Sequence, residues 1–168
     1  MMNKISRRAL GALTLVGLLA MTGCANLGGD RPAATTAEVL TNSLKLSTFH
    51  KLVHDASLQD TLRGPGPITV FAPTDEAFKE VPAATLDKLA KDPAALKALL
   101  NYHMVAGAIT SKSIEGSTTL TTLNGAKMNV AKAGDFVTVD DGLVVQADIP
   151  AGNGVVHIID RVLTPPKK

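Results

Sequence analysis

Four histidines and one cysteine are the residues in this 168-residue chain best suited to chemistry. His50 and His54 stand four apart, the spacing that sets two imidazoles on one helix face, as in a zinc helix. The intervening "KLV" lacks the Glu of a metalloprotease motif, and no third His or Cys stands nearby, so the pair reads as a solvated helix edge. His103 falls on the apolar side of "LKALLNYHMV", with Leu96, Leu99 and Leu100. His157 interrupts the run "GVVHIIDRVL". A buried imidazole without a partner costs roughly 1–3 kcal/mol. His157 is therefore either a general base or ligand, or a neutral tie to a backbone group. A nucleophile–base site needs a Ser, Thr or Cys within reach of an accessible imidazole. No "GxSxG" elbow occurs, so the tie is the preferred reading for both His103 and His157. Asp140-Asp141-Gly142 lacks the alternating oxygen ligands and terminal Glu of a calcium loop. The Gly of "LNGAKMNV" is turn chemistry rather than a phosphate cradle. No cofactor, metal or catalytic residue is expected.

Cys24 follows an export signal. Lys4, Arg7 and Arg8 precede the apolar stretch Leu10–Met21, which is too short to span a bilayer. The stretch ends at "MTGC", which resembles a bacterial lipobox and makes Cys24 the lipidated first residue of the mature chain. Ala25 and Asn26 place no Asp after it, which favours the outer membrane, on its periplasmic side or surface. Residues 1–23 are then signal peptide, 24–34 lipidated Cys and flexible tether, and 167–168 a basic tail.

Of the 17 basic residues three lie in the signal, leaving fourteen against fifteen acidic ones, with no basic block to track a phosphate backbone. Five aromatic residues, none of them Trp, give no stacking platform for nucleic acid.

The elements that position these residues follow from local signals. Thr35 and Glu38 have capping-box spacing, and Val39, Leu40 and Leu44 continue as a short helix. A second helix opens near Ser47 or Thr48, runs toward Leu62 and stops at "GPGP". Ile68–Phe71 suits a strand, with Thr74 or Asp75 capping the helix after it. "TLDKLAKD" gives a further turn or two. Asp92-Pro93 starts a helix that carries Tyr102 on its flank and ends at Gly107. Short β-like runs follow, with Asn124-Gly125 and Asp141-Gly142 as hairpin turns of positive φ. Helices first and strands later give an α+β domain. Val155 and Ile159 on one face of the last run, with Val156, Ile158 and Val162 on the other, mark a central strand. The "TVFAP" strand is its expected neighbour.

Three segments, "TVFAPTDEAF" (69–78), "LLNYHMVAG" (99–107) and "NGVVHIIDRVLTPP" (153–166), resemble in order and spacing the blocks of the fasciclin, or FAS1, domain. The likeness spans residues 35–166. It implies a β-wedge of about seven strands with short helices along its edge, and an adhesion or interaction module rather than an enzyme. It implies structural polar roles for Thr74, Asp75, His103, His157 and Asp160. In animal members a short Asp-Ile element and the Tyr-His region serve integrin recognition. These positions correspond to Asp148 and Ile149, and to Tyr102 and His103, with Pro150 and Gln146-Ala147 departing from the animal pattern. The expected partners are envelope proteins or glycans, or a second copy. The competing expectation is a small-molecule or metal binder, or a hydrolase, using His103 or His157.

Overall fold

The computed structural model describes residues 33–166. The signal peptide, Cys24, most of the tether and the basic tail lie outside the described residues. Six helices, α1 (Thr36–Asn42), α2 (Ser47–Asp55), α3 (Gln59–Arg63), α4 (Asp75–Lys79), α5 (Ala83–Lys91) and α6 (Pro93–Tyr102), are interrupted by one strand, β1 (Ile68–Pro73). Six more strands follow: β2 (Met104–Ala106), β3 (Ser117–Thr121), β4 (Lys127–Ala133), β5 (Phe136–Val139), β6 (Gly142–Ala151) and β7 (Gly154–Ile159). The spatial order is β2-β1-β7-β6-β5-β4-β3, an α+β fold.

The last strand is central. β7 runs parallel to β1, with Phe71 opposite His157, and antiparallel to β6. Its alternating faces serve two cores. Val156 and Ile158 join Val70 and Ala72 of β1 under the helices, against Leu40, Phe49, Val53, Leu62, Leu99 and Leu100. Ile159 and Phe71 point the other way, into the wedge with Tyr102, Met128, Val130, Val137 and Val139. Burying each large apolar side chain contributes about 1.5–3 kcal/mol. Gly154 is required where β7 meets β1, since a Cβ there would sit 1.8 Å from the Ile68 carbonyl oxygen.

Several local expectations are corrected. α1 stops at Asn42 and leaves Leu44 96 % exposed. The helix expected from Ser47 to Leu62 is broken between Asp55 and Gln59, where Ser57 takes φ 55°. Burial of Ala56 and Leu58 on either side of that turn holds the break. α6 ends at Tyr102, not Gly107, because Met104–Ala106 peel off to pair with Ile68–Val70. At the Asp141-Gly142 turn, Gly142 already pairs with Val139, and positive φ falls on Asp140, whose carboxylate is held from two sides. At Asn124-Gly125 only the glycine has positive φ, in a three-residue loop closed by Thr122 and Ala126. The Gly134-Asp135 connection between β4 and β5 went unpredicted; Gly134 supplies its positive φ.

Candidate functional site

β7 places His157 on the wedge side, 1 % exposed and stacked on Phe71 with ring centroids 5.2 Å apart. Its Nε2 lies 2.8 Å from the Ile109 carbonyl oxygen, which can only accept, so Nε2 carries the proton. Its Nδ1 accepts the Asp148 backbone N–H at 3.2 Å, so that nitrogen is bare. The ring is therefore neutral, and both nitrogens are committed to backbone. Burial pushes its pKa down, only partly opposed by the Ile109 bond and the Asp148 charge.

His103 repeats the arrangement at the end of α6. Fully buried against Phe49, it donates from Nδ1 to the Leu99 carbonyl at 2.8 Å. Its Nε2 accepts the Leu163 N–H at 3.1 Å, which ties the C-terminal segment to the core. Burial lowers its pKa to about 4, with the Leu99 bond opposing. A general base needs a lone pair free to take a substrate proton. Neither imidazole has one.

Asp148 sits within the register shift of β6 between Gln146 and Ile149, with φ 57°, a left-handed conformation unusual for a residue other than glycine. Its carboxylate accepts the Ser111 N–H at 2.7 Å and the Ser111 hydroxyl at 2.5 Å. Burial raises its pKa, but the two Ser111 bonds, helped by the nearby Lys112 charge, outweigh it, and the net shift is downward. Ile149 is half-buried against the helical core, while Val145, Gln146 and Pro150 beside it are exposed.

Tyr102 is not on an open flank. It is 3 % exposed, because the last turn of α6 is roofed by β4 and the β5–β6 turn. Its hydroxyl donates to Asp140 at 2.6 Å, with the Lys127 carbonyl 3.2 Å away. Burial, then the bond to Asp140 and the charges of Asp140 and Asp141, raise the phenol's pKa. Tyr102 lines a groove of about 530 Å³ with Lys127, Asp141 and Arg161, and Asp148 and Ile149 are not part of it. The structure thus separates the Tyr-His region from the Asp-Ile element.

The other polar positions tie elements together. Thr74 caps α4 by accepting the Ala77 N–H. Asp75 instead caps α2, accepting both the Ser47 N–H and hydroxyl and, at 2.7 Å, the Thr48 N–H. Burial raises the Asp75 pKa, yet those bonds hold it below the usual carboxylate value. Asp160 is exposed rather than in the core and accepts the Leu143 N–H at 2.7 Å. His50 is 3.2 Å from the Thr41 hydroxyl, and His54 is exposed beside Asp55. Among the described residues no three His, Cys, Asp or Glu converge as metal ligands.

Sequence reasoning missed Asn153, Asp140, Ser111 and Lys132. Asn153 accepts the Thr36 N–H and donates to the Leu62 and Gly64 carbonyls, joining α1, α3 and β7. Its place just before Gly154, in a quoted block, was the available signal. Ser111 and Lys132 carried none, since their partners lie 37 and 21 residues away.

Comparison with known proteins agrees with this architecture. The Fasciclin domain family model matches residues 44–165. The chain is 40 % identical over 152 residues to the cell surface glycolipoproteins MPB83 of Mycobacterium bovis and MPT83 of Mycobacterium tuberculosis. That alignment covers 86 % of this chain and 66 % of theirs. Human periostin is 36 % identical over 121 residues, covering 71 % of this chain and 14 % of periostin. Among solved structures, the FAS1 domain pair of the insect cell adhesion molecule fasciclin I superposes with a TM-score of 0.58 at 25 % identity. That match covers 74 % of this chain and 46 % of the pair. Fasciclin domains are cell-adhesion and surface modules. With its central parallel β1–β7 pair and its matched blocks, this chain belongs to the fasciclin domain family.

Proposed function

We propose that this chain is an exported, lipid-anchored interaction module that binds envelope proteins or glycans and turns over no substrate. The observation that carries the reading is the full engagement of both buried imidazoles by backbone groups, which leaves neither of them free to act as a base. The name "cell surface glycolipoprotein" given to the mycobacterial relatives supports export and an anchor at Cys24. Tyr102 is sealed inside, so the partner surface is drawn around Asp148 and Ile149 with their exposed neighbours Val145, Gln146 and Pro150.

The test coats beads with the chain carrying Cys24→Ser and mixes them with one another and with purified envelope glycan and protein fractions. Retention abolished by Val145→Glu or Asp148→Ala supports the surface. Retention unchanged in both variants keeps the module but moves its surface. Failure of every fraction to bind, together with ester or amide hydrolysis lost in His157→Gln, would sink the proposal. For the anchor, palmitate labelling in the host is expected to vanish in Cys24→Ser, and persistence would exclude it.

A further inference from the structure

The connection from Gly107 to Ser113 forms a strap beside His157, and the ties that fix it come from four different strands. Thr69 of β1 donates to the Gly107 carbonyl and accepts the Ile109 N–H. His157 of β7 donates to the Ile109 carbonyl, and Asp148 of β6 accepts twice from Ser111. Lys132 of β4 donates to the Ser111 carbonyl at 2.8 Å. No residue from 107 to 113 is fully buried: the half-buried Ile109 packs on the wedge core, and hydrogen bonds hold the rest of the strap. Segments of this kind are drawn from the low-stability end of a structure.

His157, Asp148, Ser111 and Ile109 close a ring. We propose that the strap is an acid-released latch over the Asp148–Ile149 element, with His157 as its proton sensor. The assignment rests on the reading of that element as a partner surface.

The chemistry follows from which atom each partner uses. A proton arriving at Nδ1 converts the acceptor of the Asp148 N–H into a donor that faces a donor. The nearest anion is the Asp148 carboxylate, which a protonated ring attracts. When that carboxylate turns to the imidazolium, both of its bonds to Ser111 are lost. The strap then keeps its ties to Thr69, Lys132 and the Pro67 carbonyl, the donation from Nε2 and the packing of Ile109, while its Ser111 end is freed from β6. Asp148 has a backbone reason to move, since φ 57° is disfavoured for a side chain bearing a Cβ.

The charged groups around the ring are few. β6 presents Asp148, the strap presents Lys112 near that carboxylate, and β4 presents Lys132 at Ser111. β1 presents the uncharged Phe71 ring. The two Ser111 bonds hold the Asp148 carboxylate below its ordinary pKa, which favours an ionised counter-ion when the ring charges.

The test is NMR of the full-length labelled chain in detergent micelles from pH 8 to pH 4. The probes are the His157 ring and the Ile109, Ser111 and Asp148 amides. Those amides are expected to shift with the same midpoint as the ring, and in His157→Gln the shift is expected to disappear. Amides that stay still while the ring titrates, or that move equally in His157→Gln, overturn the latch. Should that variant not fold, Ser111→Ala serves. Freeing the carboxylate is expected to raise the His157 midpoint, and an unchanged midpoint overturns the coupling. Partner binding is not part of the readout. An intact latch beside failed bead binding would refute the adhesion reading alone.

Discussion

Acid should weaken this fold as the pH falls below that at which a free histidine protonates, and His103 sets the size of the effect. In the unfolded chain its imidazole takes a proton near pH 6.5, whereas the folded chain resists protonation until about pH 4. Between those values the unfolded state binds the extra proton, so stability falls as pH falls. The contribution is fully present above pH 6.5, and its loss is complete near pH 4. A gap of about 2.5 units at 1.36 kcal/mol each gives about 3 kcal/mol. That is a large part of the 5–15 kcal/mol typical of a domain. His157, also lowered, adds loss of the same sign starting from the same upper limit. Asp75 and Asp148, held below 3.8, lose their contributions only at lower pH, so the windows separate. The assay is urea unfolding of the Cys24→Ser chain by far-ultraviolet circular dichroism at half-unit steps from pH 7.5 to 4. His103→Gln is run in parallel: it starts less stable, and its pH slope is expected to flatten by about 3 kcal/mol across the window. A wild-type stability that is level from pH 7 to 4.5, or a slope identical in the variant, would refute the assignment of a neutral, backbone-committed ring.

Three substitutions test other parts of the architecture. Gly154→Ala drives a Cβ into the Ile68 carbonyl at the joint of β1 and β7 and is expected to cost about 2–4 kcal/mol in chemical denaturation. Asp75→Ala removes the acceptor for the first turn of α2 and should cost about 1–2 kcal/mol, read as a lower denaturation midpoint. Phe136→Ser changes a side chain that is 66 % exposed and should move stability by less than about 0.5 kcal/mol, so a larger drop in melting temperature would contradict its placement.

What was legible in the sequence is what neighbouring residues decide. The Thr35–Glu38 capping box forms in both directions, and Asp92 caps α6 with Pro93 at its first position. The alternation of "GVVHIID" announces a strand covered on both faces, and the structure seats it between β1 and β6. The failures have distant causes. Of the two residues that local pattern offers as the cap of α4, Thr74 takes the role; what no local pattern shows is that α2, without a side-chain cap of its own, recruits Asp75 from 28 residues away. Tyr102 is at the edge of an amphipathic face by helical periodicity, and only the arrival of β4 and Asp140 closes that edge. Met104–Ala106 continue an apolar helix pattern until β1 offers them backbone partners. Asp148 was singled out by likeness to the family. Its bond partners Ser111 and His157 come from different parts of the chain, and no local pattern joins them.

The seat of β7 also decides when this chain is able to fold. Residues 154–159 supply the strand that β1 and β6 share, so until those residues have been made the two halves of the sheet can meet only at their other edge, where Val105 bridges to Thr122. A growing polypeptide that has reached residue 153 holds all six described helices and six of the seven strands, yet the β1–β7 register, joining residues 86 apart, does not exist. The parallel β1–β7 joint at the centre of the domain is therefore set by the last of the described strands to be made.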